Sequence, residues 1–121
     1  MSRRVVAVVS DLFFATKIAA TAEAAGVALE TPSAGEVVER CREYPPALVI
    51  LDLGDGESQF AIARILKAID STAAIPIVGF YSHVDRATHD AALAAGVDQV
   101  LPRSDFTAQL PALLAGEDVT D

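Results

Sequence analysis

Residues Leu48–Gly56 read LVILDLGDG: an apolar run ends in an acid, and two glycines and a second acid follow. A continuous apolar run, rather than alternation of apolar and polar residues, is what a strand needs when both its faces are covered, as in a parallel sheet between helical layers. The run breaks at Asp52, and Asp55-Gly56 is a turn signal. Asp52 therefore stands where a buried strand meets water. It is either a reactive carboxylate or a polar residue that satisfies turn amides.

Working outward from this strand (Ala47–Leu51), the same type recurs at Val5–Val9, VVAVV, and at Ile75–Phe80, IPIVGF. Two weaker strands are expected at Val27–Glu30 and Asp98–Leu101. Helical patterns fill the intervals. Phe13–Ala25 is Ala-rich with apolar Phe14, Ile18 and Ala22, and Gly26 is its stop. SAGE, Ser33–Glu36, reads as a capping box opening a helix that runs to about Tyr44, before Pro45 and Pro46. In FAIARILKAI, Ile62, Ile65, Leu66 and Ile69 form one stripe, and DRATHDAALAAG ends at Gly96. The last helix, SDFTAQLPALLAG, contains Pro111, which either kinks it or moves its start later.

Five strands alternating with five helices require crossover connections and helices on both sides of a parallel sheet. The fold class is α/β: a doubly wound, five-stranded parallel sheet of the flavodoxin-like kind. In such sheets chemistry gathers at the carboxyl ends of the strands, which here bring Ser10, Asp11, Asp52, Gly54, Tyr81, Ser82 and Arg103 to one rim.

Composition narrows the function classes. The 121 residues are 52% hydrophobic, as in a single folded domain spanning 1–121, with 116–121 expected to fray. A net charge of -8 and a pI near 4.5 leave no basic stripe for nucleic acid and would repel an anionic membrane surface. The N-terminal apolar run is too short for a signal segment or a membrane span, so cytoplasmic residence is expected. The lone Cys41 reads as a small buried hydrophobe or, alternatively, a reactive thiol.

Asp11 and Asp52 at neighbouring strand ends suit a hard divalent cation such as Mg2+, and an Asp flanked by a cation can accept a phosphoryl group. Arg103 is the basic residue placed to be that cation. In these features, and in the ending GVDQVLPRSDF, the chain resembles over its whole length a receiver domain of the bacterial two-component response regulators. The resemblance implies Asp52 as phosphoacceptor, Asp11 as a metal-organising acid and Gly54 as the residue lending a backbone carbonyl to the metal. It further implies Tyr81 at the switch-hydroxyl position, Arg103 as the phosphate-binding cation, and a histidine kinase or other signalling protein as partner.

The sequence also departs from the family. Ser10 replaces the first acid, Tyr81 the Thr or Ser, Arg103 the Lys and Val100 the strand-five aromatic, and no Met-Pro follows Asp52. These changes suggest a pseudo-receiver with weak Mg2+ binding and slowed phosphotransfer, acting by protein contact and not as an enzyme. Two other readings stand beside it: a phosphorylation-independent interaction or homodimerisation module, and a small-molecule carrier of the flavin or cobalamin type. SDLFFAT lacks a flavin phosphate loop, and the cobalamin Asp-x-His-x-x-Gly signature is absent. Bland alternatives stay open too: Asp11 as a helix cap, Tyr81 as packing, and His83, Asp85 and His89 as a solvated helix start.

Overall fold

The computed structural model describes residues 3–82 and 86–116. Strands β1 (Arg4–Val8), β2 (Ala28–Glu30), β3 (Leu48–Asp52), β4 (Ile77–Tyr81) and β5 (Gln99–Pro102) form one parallel sheet in the order β2-β1-β3-β4-β5. Helices α1 (Leu12–Ala25), α2 (Val37–Glu43), α3 (Glu57–Ala68), α4 (Arg86–Ala95) and α5 (Arg103–Ala115) alternate with them. The strand order reverses between β1 and β3, so their carboxyl ends flank the switch point of the sheet.

β1, β3, β4 and β5 divide their side chains between two cores, which is why their apolar runs are continuous. On one face Val5, Ala7, Ile50, Val78, Phe80 and Leu101 pack with Phe14 and Ile18 of α1 and with Phe106, Leu110 and Leu114 of α5. On the other, Val6, Val8, Val49, Leu51, Ile77 and Val100 meet Val37 and Cys41 of α2, Ile62, Ala63 and Leu66 of α3, and Ala92 and Ala95 of α4. Cys41 is fully buried, and burial pushes its thiol pKa up, so it is an inert packing residue.

Three local expectations need correction. Ile65 does not join the buried stripe of α3 but is 46% exposed, because the packed face is the narrower row of Ile62, Ala63 and Leu66. The Ser33–Glu36 box closes on itself: the Ser33 amide and hydroxyl both donate to Glu36 Oε1, at 3.2 and 2.9 Å, leaving that carboxylate the acceptor. Residues 34–36 then form a turn, and α2 begins only at Val37. Finally, α5 starts early, at Arg103, and runs through Pro111, since Leu110, Leu113 and Leu114 hold it on the sheet despite the lost backbone bond. No described helix is long and apolar enough to cross a membrane.

Candidate functional site

Asp52 closes β3 at the rim. It is 6% exposed, and its register partner on β4 is Phe80, a residue of the α1/α5 core. A short 3-10 turn, Leu53–Asp55, follows at once, and Asp52 Oδ1 accepts from the Gly54 amide at 3.0 Å. A Cβ on Gly54 would lie 3.1 Å from that oxygen, so glycine lets the carboxylate sit this close to the backbone. Burial raises the Asp52 pKa; the Gly54 hydrogen bond opposes this, the Asp55 and Asp11 charges add to it, and the Arg103 charge counters them.

Asp11 is the N-cap of α1, with Oδ1 accepting from the Phe13 and Phe14 amides at 2.9 and 3.2 Å. Its second oxygen, Oδ2, is 3.6 Å from Nη2 of Arg103, which enters from the first turn of α5. Capping and charge pairing are thus combined in one carboxylate. The Arg103 guanidinium carbon lies 4.5 Å from the centre of the Phe14 ring. Phe14 in turn stacks on Phe80 and Phe80 on Phe106, with centroids 5.0 and 4.4 Å apart. A planar guanidinium suits this aromatic shelf, as a compact ammonium would not.

Ser10 and Asp55 are joined, although sequence reading assigned Asp55 only to the turn. Ser10 Oγ donates to Asp55 Oδ1 at 2.7 Å, tying the end of β1 to the turn after β3. Tyr81 is placed differently from the other rim residues. It is buried in the α2/α3/α4 core, edge-on to His89 with ring centroids 6.4 Å apart. His83 and Asp85 lie outside the described residues.

In this arrangement the acids of the rim are engaged by protein donors, and a divalent cation would have to displace Arg103 from Asp11 and use the second oxygens of Asp52 and Asp55. Asp11 offers one oxygen to two amides and the other to Arg103, Asp52 holds the Gly54 amide, and Asp55 takes the Ser10 hydroxyl. Among the described residues no three His, Cys, Asp or Glu side chains are grouped to hold a metal.

No protein-family model matches the chain, and no curated protein matches it in sequence. Solved structures do. The chain is similar to a response regulator from Hahella chejuensis at 20% identity, with TM-score 0.82 over 94% of this chain and 93% of that one. It is similar to the chemotaxis response regulator CheY4 of Vibrio cholerae at 16% identity, with TM-score 0.80 over 94% and 97% of the two chains. The phosphorylated cyanobacterial phytochrome response regulator RcpA matches at 15% identity, with TM-score 0.74 over 96% and 91%. The chain has the fold of response-regulator receiver domains.

Proposed function

We propose that this chain is a receiver-type signalling module whose Asp52 accepts a phosphoryl group and whose output is contact with a partner protein. The observation that carries the reading is one buried carboxylate at the carboxyl end of β3, beside the switch point, with an arginine and a second acid next to it. That one of the similar structures is itself a phosphorylated response regulator supports it. In this reading an Asp52 oxygen attacks the phosphorus of a donor such as a histidine kinase phosphohistidine. The bond from phosphorus to the leaving nitrogen or oxygen breaks, its electron pair departs with the leaving atom, and an acyl phosphate remains. Arg103 is the cation that faces the added charge.

Phosphotransfer is expected to be slow. Burial raises the Asp52 pKa and so disfavours its charged, nucleophilic form, Arg103 must loosen from Asp11 to serve the phosphoryl group, and among the described residues no three His, Cys, Asp or Glu side chains are grouped for a metal. Leu12 and Phe13, exposed at the start of α1 beside the rim, are apolar surface suited to protein contact. The test is intact-mass spectrometry after incubation with acetyl phosphate, with and without Mg2+. A slowly accumulating phosphoryl adduct on the parent, absent from Asp52→Asn and only weakly dependent on Mg2+, is expected. An adduct that persists in Asp52→Asn would overturn the assignment.

A second reading is an interaction or dimerisation module that needs no phosphate. Two observations favour it: the self-paired Asp11 and Arg103, and Tyr81 packed into the core. Partner binding or self-association that is unchanged in Asp52→Asn, with no adduct on the parent, would select it.

A further inference from the structure

A cleft adjoins the rim, shares Ser10 and Asp55 with it, and opens towards the β2–α2 connection and α3. Its volume is about 310 Å³, and Val8, Pro32 and Ala34 supply apolar lining while Ser10, Asp55 and Gln59 supply polar lining. Gln59, in the first turn of α3, is 2% exposed, and its Oε1 is closed to solvent and has no hydrogen-bond partner. An amide oxygen buried in this way is costly, and of the buried side-chain polar atoms without a partner among the described residues it is the one whose residue lines the cleft. Asp55 is exposed, and Ser10 engages only its Oδ1.

We propose that this cleft binds a short aliphatic amine. Asp55 is the one charged residue of the lining, the hydroxyls of Ser10, Ser33 and Ser58 both donate and accept, and Gln59 Oε1 is an acceptor without a donor, so the ligand that matches them brings positive charge and N–H donors. An anion would meet Asp55. The apolar lining accepts methylene groups, and the chain's net charge of -8 concentrates small cations around it. The volume lies at the lower end of the roughly 300–1,000 Å³ of small-molecule sites, which limits the ligand to a few carbons. The terminal amide torsion of Gln is intrinsically soft, and binding in this reading requires Gln59 to turn Oε1 from its closed position to meet the ammonium. Asp52 is not among the residues that line the cleft.

The test is an NMR titration of the 15N-labelled protein with 1,4-diaminobutane at constant ionic strength, with 1,4-butanediol as the uncharged match. Saturable shifts confined to Ser10, Ser33, Asp55, Ser58 and the Gln59 side-chain amide are expected, with a dissociation constant of about 1 mM or tighter. Gln59→Leu should weaken binding at least about tenfold, one factor of ten in the constant. Asp55→Asn and Ser58→Lys, both at exposed positions, test the same cleft if Gln59→Leu fails to fold. Asp52→Asn keeps Asp55 and Gln59 and should still bind saturably while it abolishes the phosphoryl adduct, so this site and the phosphoacceptor reading fail separately. Equal shifts with the diol, unsaturable shifts spread over the acidic surface, or binding that survives Gln59→Leu or Ser58→Lys would overturn the proposal. So would tighter binding of N-acetyl-lysine methylamide than of the diamine, which would reassign the cleft to a protein lysine.

Discussion

Asp52 carries its charge into a place that resists it. Its pKa is raised first by burial, and the Gly54 amide and Arg103 only partly offset this. A raised folded-state pKa means the native protein holds the proton more firmly than the unfolded chain does. The resulting stability is complete below the ordinary value of 3.8 and is lost as pH rises through the raised one. Asp52→Asn removes the ionisation, so at pH 7 the variant should melt above the parent by about 2–4 °C. Below about pH 3.5 the two should converge. Melting curves across this range decide it, and a parent that is the more stable at pH 7 would show that Arg103 outweighs burial. The place of Asp52, Asp11 and Arg103 was legible because Asp52 ends a strand, Arg103 follows one directly and Asp11 lies in the short link from β1 to α1. The bond between Ser10 and Asp55, 45 positions apart, was not, since no local pattern encodes which loops meet. Tyr81 shows the same limit: its strand position could be read, but the core its ring enters could not.

At the scale of elements, the apolar runs proved the most readable signal, because a strand covered on both sides has few sequence solutions. Boundaries set by competing local bonds were less so. Ser33 and Glu36 satisfy each other and postpone α2, and burial of three leucines overrides the proline in α5. Gly79, mid-strand in β4, is a contact that sequence reading passed over. A Cβ there would lie 2.8 Å from Leu53 Cδ1 and 2.9 Å from Leu53 Cγ, so Leu53 packs directly over bare backbone. Leu53 is 3% exposed and opens the turn that follows Asp52, so this contact seats the turn on the neighbouring strand. Gly79→Ala should destabilise by about 1–3 kcal/mol through overpacking. Leu53→Ala should remove part of that penalty, giving a coupling on the order of 1 kcal/mol in a double-mutant cycle followed by urea denaturation. Strict additivity would mean that the two side chains do not compete for the space.

Across the whole molecule, α5 runs from the rim at the carboxyl ends of the strands to their amino ends, and an arginine holds it at each end. At the rim, Arg103 lies over Phe14 and pairs with Asp11. At the far end, Arg3, just ahead of β1, donates through Nε to the Leu114 carbonyl at 2.7 Å and through Nη2 to the Leu113 carbonyl at 3.4 Å. Those carbonyls belong to the last turn of α5, whose dipole favours positive charge; the Gly116 amide also donates to the Leu113 carbonyl, at 3.3 Å, so Arg3 is a second donor there. The first and last described segments are thereby tied together, which sequence alone could not show because the two are 110 and 111 positions apart. Arg3→Ala should cost about 1 kcal/mol and speed amide exchange in the last turn of α5, with Arg3→Lys recovering part of the charge term but not the forked bonding. If α5 is held independently at its two ends, exchange near Arg103 and phosphoryl labelling of Asp52 should stay as in the parent. Hydrogen-exchange mass spectrometry on the three proteins measures both ends at once. Faster exchange at the rim in Arg3→Ala would show instead that the helix transmits strain from the amino ends of the strands to the acid at their carboxyl ends.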